Sequence, residues 1–423
     1  VPLNTWLGFI VLIYLIVALI LRSRRPWVPV WCIMAFASFM VILFGLLNSD
    51  DIGKVIDLDV ILFLIGMFSL VGLANSSGLL ELISMRFASI FHRKVTLVYG
   101  SALLFALLAA FTTNDTVAFM GPPIAYTIAN VAGVDPKFMF LLLAFSLTIG
   151  SVMTPIGNPQ NLLIAIESGI KAPFIIFIAK LAVPTMLNIF LTAYLLQKIF
   201  KIDDRELDHN TIPRITLKSK RDAILAGTGL LLTVILLVVN DVLELYGASH
   251  IEHRGVIPFV VAAGIYVLTT NPRKSLSEVD WGTIVFFITM FITMDGIWRS
   301  GVLQPLLNML LPAKEIGILG IVRITVTAIL VSQLLSNVPF VKLFIEYMRD
   351  VGYSGEDAGS WLALAMSSTI AGNLTILGAA SNVIILEVLE SKMKSTITFT
   401  EFLKIGFIVT LLNTLIYLIF FFA

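Results

Sequence analysis

Long apolar runs separated by short polar stretches set the pattern of the chain. Runs able to span a hydrocarbon core of about 30 Å lie at Trp6 to Leu21, Trp27 to Leu47, Leu58 to Ala74, Phe138 to Ile166 and Pro173 to Ile199. After a polar stretch, Lys201 to Arg221, further runs lie at Ala223 to Val239, Gly255 to Thr270, Trp281 to Ile297, Trp361 to Leu389 and Phe402 to Phe422. The pattern predicts ten crossings, five on each side of the polar stretch.

Two kinds of interruption break the pattern. In "AAFTTNDTVAFMGPP", Ala109 to Pro123, two threonines, an amide and a carboxylate stand between apolar arms. The arm Val117 to Ala129 corresponds to about 20 Å of helix at 1.5 Å per residue, short for a crossing. Residues 95–130 are therefore expected to form a re-entrant helical hairpin with Thr112, Thr113, Asn114 and Asp115 at its tip. Residues 318–348, with "LLSNVPF" at the tip, form its counterpart. Non-helical backbone at such depth survives only inside protein or beside a wet cavity. The second kind is a broken helix, "MTPIGNPQN" within residues 138–168, where Pro155, Gly157 and Pro159 end the helix. Its counterpart is "LTILGAASN" within residues 361–389, where Gly378 and small residues are expected to make a gentler break.

The interruptions recur because the chain is written twice. "IDLDVILFLIGMFSLVGLANSSGLLELI" from Ile56 aligns with "VDWGTIVFFITMFITMDGIWRSGVLQPL" from Val279 at an offset of about 223 residues, which also carries Asn114 onto Asn337. "SLTIGSVMTPIGNPQNLLI" aligns with "SSTIAGNLTILGAASNVII" at about 221, pairing Gly157 with Gly378 and Asn161 with Asn382. Five crossings per copy is an odd number, so the second copy is expected to be inverted in the membrane, an architecture of many secondary transporters. The expected fold is an all-α polytopic membrane protein. Its first inverted repeat is 1–200, its linker 201–221 and its second repeat 222–423, with five transmembrane helices, one re-entrant hairpin and one broken helix in each.

Composition agrees with a bilayer protein: of 423 residues, 58% are hydrophobic and 13% charged, and the mean hydropathy is +0.98. A lone cysteine, Cys32, excludes a disulfide scaffold and a cysteine metal cluster. The four histidines (92, 209, 250 and 253) show no ligand spacing. The basic cluster RSRRP follows the first apolar run instead of preceding it, so that run reads as a helix and not a secretory leader. Alternating along the chain puts about 19 of the 28 Lys and Arg on one face, with linker 201–221. The positive-inside rule makes that face cytoplasmic and both termini extracytoplasmic in a multi-pass plasma-membrane protein.

Candidate chemistry follows from the interruptions. A broken helix offers unpaired carbonyls at one half-end, suited to a cation, and unpaired amides at the other, suited to an anion. Thr113, Asn114, Asp115, Thr116, Asn158, Asn161, Ser336, Asn337, Ser381 and Asn382 are the expected solute-binding residues. The plainer reading is that such groups hydrogen-bond helices together, and for an isolated Ser or Thr it is preferred. Asp115, Asn114, Gly157, Asn337, Gly378, Asp295 and Glu387 are the candidates for a coupling ion, a proton or sodium, since intramembrane carboxylates are costly and such oxygens are hard ligands. The plainer alternatives are that Asp295 pairs with Arg299 one turn on and Glu387 with Lys392. Lys180, Arg323 and Lys342 are read as structural, and Leu79 to Phe91 as an interfacial helix.

At these motifs the chain resembles the ion transporter superfamily: arsenite permeases, divalent anion/sodium symporters, citrate-metal carriers and sodium/proton antiporters. "TTNDT" and "SNV" stand at the hairpin tips, "TPIGNPQN" and "GAASN" at the helix breaks, and the Asn-Asp pair most resembles the arsenite-permease branch. The resemblance implies elevator-type transport and a homodimer. The function expected is secondary active transport of an anion or oxyacid, coupled to protons or sodium. The alternative is a sodium/proton antiporter on the same fold; a channel or membrane enzyme ranks third, since no nucleophile-base pair, metal motif or nucleotide loop is present. No cofactor is expected beyond a sodium ion, and no nucleic acid partner; the bilayer and a small solute are the partners.

Overall fold

The computed structural model describes residues 2–22, 28–207, 216–311, 313–393 and 396–422; the side chains at 22, 334, 377, 387 and 391–393 lie outside that description. Arg24 and Arg25 of the RSRRP cluster, and the Glu387 and Lys392 side chains named above, therefore lie outside the described residues. All named elements are helical. The first half holds α1 (Leu3–Arg22), α2 (Val30–Leu43), α3 (Ile52–Val55), α4 (Leu58–Ser76), α5 (Leu79–Ala88), α6 (Lys94–Thr112), α7 (Asn114–Ala132), α8 (Pro136–Gly150), α9 (Pro159–Glu167) and α10 (Pro173–Ile199). The second holds α11 (Lys220–Leu245), α12 (Val256–Leu268), α13 (Pro272–Ser277), α14 (Trp281–Arg299), α15 (Gln304–Leu310), α16 (Ile318–Leu335), α17 (Asn337–Asp350), α18 (Ala358–Ile370), α19 (Ala380–Met393) and α20 (Phe399–Phe422).

By length and composition, α1, α4, α6, α8 with its following turn, α10, α11, α14 and α20 can cross a membrane. Helices α2 and α12 are apolar but shorter than the expected crossings. Residues 361–389 divide between α18 and α19 instead of forming one span. Burial sorts these helices. Every side chain of α8 from Phe138 to Gly150 is buried, and so is every one of α18 from Ser360 to Ile370, as expected of helices that are apolar all round and central. Helices α1, α11 and α20 instead expose Ile, Leu and Phe, the surface a helix presents to lipid. At the centre α8 crosses α6 closely: a Cβ on Gly150 would meet the backbone of Ala106.

The two halves share local features. Asp57 caps α4 and Asp280 caps α14. Thr113 and Ser336, the single residues between α6 and α7 and between α16 and α17, have φ of 91° and 70°, a region costly for a side chain with a Cβ. Two expectations about the interruptions need correction. The arm after the first tip is not short: α7 runs 19 residues through Pro122, which is buried, and Pro123, which is exposed, each proline removing only one N–H. The second break is not gentle either. Helical turns at Ala371–Asn373 and Ile376–Gly378 are separated and followed by extended Thr375 and Ala379, since Asn382 takes over the bonds that a continuous helix would make.

The base of α6 and α7 is held from outside. Arg93 pairs with Asp204 at 2.5 Å and Lys94 with Asp203 at 2.8 Å, Leu207 N–H donates to the His92 carbonyl, and Arg205 reaches the Ala132 carbonyl at the end of α7. The hydrogen bonds from Lys94 and Arg93 hold the Asp203 and Asp204 carboxyls below the ordinary carboxylate range. A depressed folded value means that their contribution is complete above the unfolded Asp value, about 4, and is lost as pH falls through the folded values. The paired substitution of Asp203 and Asp204 by Asn is expected to flatten the fall of Tm with acid below about pH 4. An unchanged acid limb would show that the clamp adds nothing, as exposed pairs often do.

Candidate functional site

A cavity of about 420 Å³ lies where the interruptions meet. Asn114 and Asp115 enter it from the first tip, and Ser336 and Asn337 from the second. Pro159 and Gln160 come from the first break, and Ala379, Ala380 and Ser381 from the second. The opposite wall is made by α14 (Asp280, Gly282, Thr283, Phe286, Phe287) with Leu19, Ile20 and Trp31 from α1 and α2. N-terminal turns of α2, α7, α9, α14, α17 and α19 therefore surround one space. Each brings the positive end of a helix dipole, worth about 0.3 to 1 kcal/mol toward a nearby negative group, although the N–H groups of Asn114, Asn161 and Thr283 are already paired within the chain.

Each break is built by a threonine and an asparagine. Thr154 donates its hydroxyl to the Ala110 carbonyl on α6 and accepts from Gly157 N–H at 3.0 Å. The side-chain amide of Asn161 donates to the carbonyls of Ser151, Val152 and Thr154, each at 3.1 Å. In the second copy Thr375 donates to Gln333 Oε1 at 2.9 Å, and Asn382 donates to the carbonyls of Gly372 at 2.7 Å and Thr375 at 3.2 Å. The tips are seated on these breaks: Asn114 N–H donates to the Gly157 carbonyl at 2.8 Å, and Gln333 Nε2 donates to the Ala371 carbonyl at 2.9 Å.

The cavity gathers some expected residues and not others. Asn114, Asp115, Ser336, Asn337 and Ser381 line it. Thr113 and Thr116 are engaged with one another, hydroxyl to hydroxyl at 3.1 Å, closing the tip. Asn158 is spent on Ser151, Thr369 and the capping of Asn161, and Asn161 on the carbonyls above. Gly157 and Gly378 shape the turns and do not line the cavity. Asp295 lies elsewhere, paired with Arg299 at 2.6 Å. Asp280, Thr283, Gln160 and Gln333 line the cavity although sequence reasoning did not select them. Asp280 carried a signal, its match to Asp57 across the repeat, but its position before an apolar run reads equally as a helix cap. It is both: Oδ1 accepts Thr283 N–H at 3.0 Å and Oδ2 the Thr283 hydroxyl at 2.6 Å.

The electrostatics are one-sided. Asp115 and Asp280 are close enough to repel one another, and among the described lining residues there is no Lys, Arg or His. Asn114 Oδ1, Asn337 Oδ1 and Ser381 Oγ are buried without a hydrogen-bond partner, a state that normally costs about 1 to 3 kcal/mol each. A solute carrying hydroxyl groups would satisfy them. A free polyanion would meet two carboxylates and no cation.

Comparison with known proteins agrees with the architecture. The citrate transporter family profile matches residues 10–371. A 46 kDa membrane protein of Mycobacterium leprae is 26% identical over 396 residues, covering 88% of this chain and 89% of its own length. The silicon efflux transporter LSI3 of Oryza sativa subsp. japonica is 26% identical over 407 residues, covering 83% of each chain. The crystal structure of the YdaH transporter of Alcanivorax borkumensis shares the fold, with a TM-score of 0.56 at 14% identity over 89% of each chain. A multi-pass helical chain whose interrupted helices enclose a polar cavity, matched over most of its length, is a membrane transporter and not an enzyme, and it belongs to the citrate transporter family of the ion transporter superfamily.

Proposed function

We propose that this protein is a proton-coupled secondary transporter of a small oxyacid taken up in an uncharged, hydroxyl-bearing form. One observation carries the reading: Asn114, Asn337 and Ser381, each with a side-chain oxygen buried without a partner, line a cavity with two carboxylates and no described cation. Hydroxyl groups of the solute donate to those oxygens and accept from the N–H groups of the surrounding helix starts. Asp115 carries the coupling proton, and its protonation removes one negative charge from the cavity before the solute enters. The two halves act as inverted repeats with re-entrant hairpins, alternating access to the cavity by an elevator motion in a homodimer. The duplicated sequence, the matched bonds at the two breaks and the superfamily resemblance support this. The silicon efflux named for the rice relative fits a solute of this kind.

A sodium/proton antiporter is the second reading, favoured by the same pair of carboxylates, which also suits a cation. Proteoliposomes separate the two. With arsenite, silicic acid, citrate with and without a divalent cation, sulfate and dicarboxylates in turn, an imposed pH gradient is expected to drive accumulation of an uncharged oxyacid and not of free citrate. Collapse of the gradient by sodium alone, with no solute movement, would establish the antiporter. Uptake of free citrate in preference to every oxyacid would overturn the solute class.

A further inference from the structure

A second cavity, about 270 Å³, opens along the same seam between α14 and α17, walled by Lys54, Met294, Asp295, Arg299, Lys342 and Glu346. From Thr283 to Asp295 the helix advances about 18 Å, so this cavity sits at a different depth from the central one. Buried Phe287 and Phe291 on α14 and Phe340 and Phe344 on α17 occupy the seam between them.

Two charge-balanced groups face each other across it. On one side Lys54 pairs with Asp51 at 2.7 Å, and Arg299 with Asp295 at 2.6 Å and Asp51 at 3.5 Å. On the other, Lys342 pairs with Glu167 at 2.6 Å and Glu346 at 2.9 Å, and Arg349 with Glu346 at 3.6 Å. Lys342 Nζ also lies 5.4 Å from the centre of the Phe291 ring. Arg349 donates to the Glu167 backbone carbonyl. Glu167, at the end of α9, is only 7% exposed, and its Oε1 is buried without a partner.

The repeat shows that the fold does not require this pair. Lys342 corresponds to Phe119 and Glu167 to Val388. Burying two charges costs several kcal/mol per ion, roughly repaid by their attraction, and the residues at the matching positions are apolar, Phe119 being 61% exposed. A pair kept in one half only, with one oxygen unsatisfied and a cavity beside it, serves something other than packing.

We propose that Lys342 and Glu167 form a proton-exchange site, reached from the second cavity, which couples proton movement to displacement of α17. The inference rests on the proton-coupled reading of transport. In the uptake step Lys342 gives an Nζ proton to a Glu167 carboxylate oxygen, one N–H bond breaking as one O–H bond forms. Lys342 is then reprotonated from the cavity, directly or through Glu346. The site has gained one proton and one positive charge, Glu167 is neutral, and the Lys342 ammonium keeps only Glu346 and the facing Asp295 as counterions. Release runs the same steps backward. The other groups around the pair are Arg349 on α17, Arg299 on α14, Lys54 and Asp51 beside α3, and Asp57 at the start of α4. Helix α18, which also packs on α9 and α17, carries no charged residue, and Arg323 on α16 is paired with Glu315.

Proteoliposome assays of Glu167→Gln test the site. pH-driven accumulation is expected to fall at least about tenfold, a change of about 1.4 kcal/mol, while solute counterflow, which needs no net proton movement, persists. Accumulation at the wild-type level, or recovery of it in the double variant Glu167→Gln with Lys342→Met, would make the pair a brace and overturn the proposal. A transport-independent measurement is infrared difference spectroscopy on the purified protein: a protonated-carboxyl band should grow on acidification, shift in Glu167→Asp and vanish in Glu167→Gln. Absence of that band in the wild type overturns the site. Its presence in a protein that responds to no pH gradient with any solute refutes the transport reading and leaves the site standing.

Discussion

Replacing Asp115 by Asn is expected to impair pH-driven transport severely and leave a folded protein. The substitution keeps the shape of the side chain and its place in the first turn of α7, while removing a negative charge and the ability to carry a proton. No described hydrogen bond within the chain depends on the Asp115 carboxylate, so folding has little to lose. The solute loses its only titrating neighbour at the first tip. Hydrogen bonds to charged groups are worth about 1.5 to 3 kcal/mol, so accumulation should fall by about ten- to a hundredfold. The measurement is gradient-driven uptake beside counterflow in the same vesicles. Uptake at the wild-type level would remove Asp115 from the mechanism. Asp280→Asn is a useful contrast, because an asparagine can still cap α14 through its oxygen, while the variant loses the charge and the bond accepted from the Thr283 hydroxyl.

The largest effect on stability is expected from Asn161→Ala. The Asn161 amide is shared among three carbonyls at the first break, and its oxygen accepts from the Thr369 hydroxyl at 3.3 Å. Alanine leaves those carbonyls buried without that donor, at about 1 to 3 kcal/mol for each group left unmade. Thermal unfolding in detergent should show a loss of several degrees or failure to express. Asn382→Ala, which removes bonds to two carbonyls, should cost less. Equal losses would mean that the first break is not held chiefly by this amide.

The helices were legible because an apolar run long enough to cross a bilayer is too costly to leave in water and too long for most soluble cores. The tips and breaks were legible because Asn, Asp and proline inside such runs must be justified by a partner or a cavity. What was lost followed from the same logic. Gln160 and Gln333 stand beside conspicuous motifs, and nothing in the local pattern distinguishes a glutamine that lines a cavity from one that braces a turn; Gln333 does both. Asn158 and Asn161 looked like binding groups because an amide spent on other groups of the chain is indistinguishable, in sequence, from one aimed at a ligand. Leu19, Ile20 and Trp31 gave no signal, since an apolar wall facing a cavity reads like one facing lipid. Glu167 and Lys342 are separated by 175 positions, and only the fold places them together.

The chain that clamps the base of α6 and α7 has a second anchor: after Leu207 is fixed there, Lys218 N–H donates to the Ser77 carbonyl between α4 and α5, and α5 packs on α6 and α7. The stretch joining those anchors can extend to at most about 40 Å. While both anchors hold, that length bounds the distance between the base of α6 and α7 and the α4–α5 turn. The second hairpin is fastened through its own flanks, by Lys314 to Asp357 and Tyr353 to Glu315. One helix pair is thus fastened within its own sequence and the other through a distant segment, so shortening the stretch between Leu207 and Lys218 should strain the first pair and leave the second untouched.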